Sequence, residues 1–91
     1  MSAPLESIEA DCFLDGFKKL KKVAGAVRKL DNLMRKVAMH PEVGTGHPKP
    51  LSGYGERRVW SRHITHRHRL IYEIREDSVV FIACHGHYDD R

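Results

Sequence analysis

The chain has little of what would staple a fold or anchor it in a bilayer. Only two cysteines, Cys12 and Cys84, occur in 91 residues, far apart and among apolar neighbours. That usage suits a reducing cytoplasm and argues against a disulfide framework. No apolar run approaches the roughly 18 residues of a membrane-spanning helix, so no membrane partner is expected. The N-terminal stretch Met1-Ser2-Ala3-Pro4-Leu5-Glu6 lacks both the basic and the apolar regions of an export signal. Repeats and low-complexity tracts are missing too. At this length one hydrophobic core is expected, in a single domain over residues 1–91. A multidomain enzyme, a Rossmann fold and a secreted scaffold all fit poorly.

What is present is charge, unevenly placed. A 41% hydrophobic and 31% charged composition is that of a globular domain rather than a disordered chain. The net charge of +4, with seven histidines in addition, permits an anionic partner without demanding one. Lys18, Lys19, Lys21 and Lys22 form one basic cluster. From Arg57 to Arg69 there are five arginines (57, 58, 62, 67, 69), three histidines (63, 66, 68) and no acid. A solvated edge that guards a strand against aggregation would look like this. Arginine's planar fork, however, suits phosphate.

Periodicity then divides the chain. Leu5–Ala10 reads as a short strand, and Asp11 or Asp15 offers a helix N-cap. Apolar positions 13, 17, 20, 24, 27, 30, 34 and 37 recur at helical spacing. Gly16 and Ala24-Gly25-Ala26 weaken that stripe, leaving one long helix and a broken pair both open. His40-Pro41 ends it. Glu42–Gly55 holds four glycines and two prolines and reads as a shaped crossover loop. Beyond it the period becomes two: Val59–Ile64, Arg69–Arg75 and Ser78–His85 read as strands, with a turn at Glu76-Asp77. If Leu70, Tyr72 and Ile74 face the core, pairing residues whose numbers sum to an even total buries Val80, Ile82 and Cys84. It also sets His85 and His87 on the face of Arg69. The even register is preferred because a small cysteine is usually buried. A helix followed by antiparallel strands argues an α+β fold.

Cys84-His85-Gly86-His87 beside His63, His66 and His68 invites a zinc site, but the spacing is a weak signal and no metal is expected. Cys84, in an apolar run, reads as a structural thiol. An arginine and a histidine on one sheet face have a better use. Cleaving RNA through its own 2′-hydroxyl needs a base, cations on the phosphate and an acid for the leaving 5′-oxygen. Arg69 could hold the phosphate and His87 could be the acid, with Tyr88 stacking on or positioning a base. Equally, His87 and Tyr88 could be only the frayed end of the last strand.

Three blocks then resemble a known family in order and in spacing: Trp60-Ser61-Arg62-His63-Ile64-Thr65, His68-Arg69-Leu70-Ile71-Tyr72 and Cys84-His85-Gly86-His87-Tyr88. They look like the successive blocks of the YoeB/Txe toxins, within the RelE/ParE superfamily. Gly44-Thr45-Gly46-His47-Pro48-Lys49-Pro50-Leu51 is similar to that family's Gly-x-Gly-Lys-Pro-Glu-Pro-Leu segment. The resemblance covers about residues 40 to 90; residues 1–39 match only in pattern. It implies a compact RelE-like α+β domain, with an N-terminal strand and helical segment packed on an antiparallel sheet. It also implies a toxin of a type II toxin–antitoxin module that cuts mRNA in the ribosomal A site without metal or other cofactor. The implied partners are a cognate YefM/Phd-like antitoxin, the 70S ribosome and its mRNA, and operator DNA bound as the toxin–antitoxin complex; a homodimer is left open. Carried over residue by residue, the phosphate-binding arginine is Arg69, the general acid His87 and the adjoining active-site tyrosine Tyr88. Arg62 matches a basic RNA-contacting position, and His63 stands where the family usually has a second arginine.

Two departures qualify that transfer. Lys49 replaces the family glutamate proposed as general base, and a protonated lysine accepts no proton. Among so many arginines Lys49 could act as base or as phosphate ligand, and His47 is a substitute base. The segment Tyr54–Val59 is slightly longer than the family's link, and could reshape the mouth of the site. The alternatives are a ParE-like gyrase inhibitor without nuclease activity, or an antitoxin-paired nucleic-acid-binding module with impaired catalysis.

Overall fold

The helical stripe breaks in two. In the computed structural model, which describes residues 3–86, helix α1 spans Asp11–Leu20 and helix α2 spans Ala26–Met39. Gly25 lies between them at φ +76°, a left-handed conformation that costs an L-residue strain. The break shifts the phase of the second half. Leu30 and Val37 are buried as the stripe requires, whereas Ala26 and Leu33 are buried in place of Val27 and Met34. Neither Asp11 nor Asp15 caps α1: the N-cap is Ala10, without a side-chain hydrogen bond, and Asp11 sits in the first turn. There its charge still favours the positive end of the helix dipole. As expected, α2 stops at His40-Pro41, with His40 as its C-cap.

Five strands form one sheet in the order β1-β5-β4-β3-β2. They are β1 (Glu6–Glu9), β2 (Lys49–Pro50), β3 (Arg58–His63), β4 (Arg69–Ile74) and β5 (Ser78–Ala83). The sheet is antiparallel except at one edge, where β1 pairs parallel with β5; both helices lie in the connection from β1 to β2 at the opposite edge. The fold is α+β, and one face of the sheet carries the core. Leu70, Tyr72, Ile74, Val79 and Phe81 pack there with Phe13, Leu20, Leu30, Leu33 and Val37 from the helices. Each such large side chain contributes about 1.5–3 kcal/mol of burial energy.

The even register does not hold through β5. Tyr72 pairs with Phe81, Glu73 with Val80 and Ile74 with Val79, all odd sums, so Val79 and Phe81 are the core residues rather than Val80 and Ile82. A register shift between Ile71 and Tyr72 then pairs Ile71 with Ala83. One extra residue in β5 inverts the faces beyond it, which is how Cys84 still becomes fully buried. Burial, with a smaller contribution from Glu9, pushes the Cys84 thiol up to about 11. At neutral pH it is an unreactive packing group.

Candidate active site

The sheet face turned away from the helices carries the candidate residues. Side chains alternate along each strand, so the partners of Arg69 on this face can be traced through the register. Lys49 lies opposite Ser61, Ser61 opposite Ile71 and Ile71 opposite Ala83. One step along the strands, His63 lies opposite Arg69. Lys49 and Arg69 therefore share one face two strands apart, with backbones about 12 Å from each other by strand spacing and rise. Side chains of that length can approach one phosphate group from two sides. Lys49 and His63 are exposed, whereas Arg69 is 8% exposed and donates from Nη1 to the His66 carbonyl at 3.3 Å.

The glycine loop brings His47 to the same place. Gly46 adopts φ +91°, and its carbonyl accepts from the His63 amide at 2.7 Å. A Cβ on Gly46 would come within 3.0 Å of the His63 carbonyl and 3.1 Å of Leu33 Cδ2. Only glycine permits that approach. His47, itself at φ +54°, ends with its ring 5.6 Å from the His63 ring. Lys36 steadies the loop from α2, donating to Thr45 Oγ1 at 3.0 Å, and Arg58 pairs with Glu42.

Arg62 is not on this face. It pairs with Leu70, points to the helix side and is fully buried. Its Nε donates to Tyr72 Oη at 3.0 Å, Nη1 to the Thr45 carbonyl at 3.1 Å, and Nη2 to the carbonyls of Val43 (2.9 Å) and His40. The expected RNA-contacting arginine is thus a clamp that closes the loop leaving α2, and its fork is occupied by the protein's own oxygens. Tyr72 completes the clamp by donating to the Pro41 carbonyl at 2.7 Å, and burial raises its phenol's pKa, so that proton is retained. Strand parity was the signal in the sequence: Arg62 shares the face of Trp60, not that of His63.

The last strand's end also differs from expectation. His85 does not join Arg69's face: its Cβ lies against α1, 3.4 Å from where a Cβ on Gly16 would stand. Its ring stacks on His68 with centroids 4.4 Å apart. His87 and Tyr88 lie outside the described residues. The longer segment Tyr54–Val59 closes the β2–β3 hairpin at the end of the sheet face near Glu73, away from His63 and Arg69. Among the described residues no three histidine, cysteine or acidic side chains gather as metal ligands, and no helix is long and apolar enough to cross a membrane.

The chain matches the family described as YoeB-like toxin of bacterial type II toxin-antitoxin system over residues 11–88. Toxin YoeB of Escherichia coli K12 is 39% identical over 62 residues, covering 68% of this chain and 73% of that protein. A YoeB/ParE toxin from Agrobacterium tumefaciens superposes with a TM-score of 0.81 at 27% identity, over 92% of this chain and 100% of that one. The toxin in a YoeB-YefM complex from Staphylococcus aureus has the same fold, with a TM-score of 0.74 at 24% identity over 94% of this chain and 100% of that one.

Proposed function

The chain belongs to the YoeB-like toxins of bacterial type II toxin–antitoxin systems, and from that membership we propose that it is a ribosome-dependent mRNA endoribonuclease. It acts in the A site, by attack of the substrate's own 2′-hydroxyl, and so blocks translation. The observation that carries this reading is the sheet face on which Arg69, Lys49, His63 and His47 converge beside the strand leading to His87. Arg69 neutralises charge on the scissile phosphate as the pentavalent state forms. His87 donates a proton to the leaving 5′-oxygen, and Tyr88 orients the flanking base. Lys49, exposed on the edge strand, serves as the second phosphate ligand. His47, beside His63, takes the 2′-hydroxyl proton. Arg62 acts only by holding the loop that carries His47.

A YefM/Phd-like antitoxin is the proposed inhibitor, by analogy with the staphylococcal YoeB-YefM complex. The complex would bind its own operator DNA, and a homodimer is a proposed free form, as a YoeB dimer is known from Staphylococcus aureus. Primer extension on a defined mRNA in a purified translation system tests the activity, with wild type beside the His87→Ala variant. New ribosome-dependent ends inside the A-site codon, lost in the variant, are the expected result. Arrest without cleavage would leave a ribosome blocker, and no arrest would turn attention to gyrase.

A further inference from the structure

His68 has no part in the chemistry above, yet it grips the chain at the residue before the proposed acid. The Gly86 amide donates to His68 Nδ1 at 2.9 Å, and the neighbouring Arg69 amide donates to the Gly86 carbonyl at 3.1 Å. Both backbone polar groups of Gly86 are thus held by the His68-Arg69 pair at the start of β4. The histidine is itself fixed from behind. Thr65 Oγ1 accepts from the His68 amide at 3.2 Å, and the His68 carbonyl accepts from Ile64 at 2.9 Å, which closes the β3–β4 turn. On its other side the ring stacks on His85. Gly86 takes φ +93°, a left-handed conformation that favours glycine.

We propose that His68 is a positioning residue for the RNA-cutting site: through Nδ1 it fixes Gly86, the residue that precedes His87 in the sequence. The proposal rests on the endoribonuclease reading for its functional consequence. Accepting from Gly86 requires an unprotonated Nδ1, which places the proton of the neutral ring on Nε2. The acceptor and the aromatic ring are separable properties, and this makes the idea testable. Asparagine puts an oxygen near the place of Nδ1 but has no ring to stack. Phenylalanine keeps a ring against His85 but cannot accept.

The test compares His68→Asn and His68→Phe in two measurements: single-turnover mRNA cleavage on programmed ribosomes, and hydrogen exchange of the Gly86 amide by NMR. Misplacing an acid by about 1 Å costs up to about a hundredfold in rate, so the Phe variant should cut at least about tenfold more slowly. Its Gly86 amide should exchange at least about tenfold faster, while the amides of Tyr72 and Phe81 stay protected. The Asn variant should stay within about threefold of wild type in both. Wild-type Gly86 exchange in the Phe variant would overturn the proposal, as would an Asn variant as impaired as Phe. A wild-type protein that cuts no mRNA would refute the endoribonuclease reading, and the exchange data would still decide the clamp.

Discussion

Four oxygens depend on the Arg62 guanidinium: the Tyr72 hydroxyl and the carbonyls of His40, Val43 and Thr45. Arg62→Met keeps much of the volume and strands all four. The expected loss is about 3 kcal/mol or more in urea unfolding, because removing one member of a buried polar set leaves the others desolvated. Arg62→Lys should rescue little of it, since one ammonium cannot span the arc a planar fork reaches. Unfolding of the Met variant within about 0.5 kcal/mol of wild type would show that water serves these oxygens equally well. Gly46 is the other residue with little tolerance. Gly46→Ala combines a positive φ with a 3.0 Å approach to the His63 carbonyl, and should cost about 1–3 kcal/mol. The same substitution should pull His47 from His63, visible as changed ring chemical shifts. The basic run itself does not mark which arginine turns inward; the signal for Arg62 is its parity with Trp60 along β3.

At the scale of elements, the far end of the site face is closed by charge. Glu73 on β4 accepts from Arg57 at 3.0 Å and from Arg75 at 3.3 Å through the same oxygen. The hydrogen bond from Arg57, ahead of the opposing effect of burial, holds the carboxyl below its ordinary range. A carboxylate with a depressed folded-state pKa contributes stability above its unfolded value, and that contribution fades as pH falls through the folded one. Glu73→Gln should therefore cost about 1 kcal/mol near neutral pH, with the difference from wild type vanishing on acidification. Urea titrations at neutral and strongly acidic pH measure this; an unchanged gap would remove the ion pair as its cause. Strands β1, β3, β4 and β5 and the loop were legible because alternation and glycine placement are local signals; β2 falls inside the segment read as loop, and the order of strands in the sheet depends on long-range pairing that no local signal carries. The break in the helical stripe was readable only as an alternative, since Gly25 is tolerated within a helix or between two. The register of β5 was misread because a bulge is invisible to parity: Cys84 is buried as expected, but through the inserted residue and not through the even pairing.

For the whole molecule, the helices pack on one face of the sheet, and Arg69, Lys49 and His63 belong to the other. Arg69 and Lys49 reach that face from β4 and the edge strand β2, positions 20 residues apart that only the sheet brings together. Arg69, His87 and Tyr88 stand out in the sequence through the family resemblance, and of these His87 and Tyr88 lie outside the described residues. The consequence of Lys49 in place of a carboxylate could not be read there, because it depends on what stands beside it: Lys49 is exposed across from Ser61, and the His47 and His63 rings lie 5.6 Å apart on the neighbouring segments.

If these groups cut RNA through its 2′-hydroxyl, the chemistry of the new end reports it. Ribosomes stalled with a defined A-site codon would be mixed with wild type or Arg69→Ala, and the 3′ termini of the upstream fragments analysed. Wild type should leave a 2′,3′-cyclic phosphate or its 3′-phosphate product, and Arg69→Ala should slow cleavage at least about a hundredfold, in line with loss of one stabilising group at the transition state. A free 3′-hydroxyl, or intact mRNA on arrested ribosomes, would contradict it.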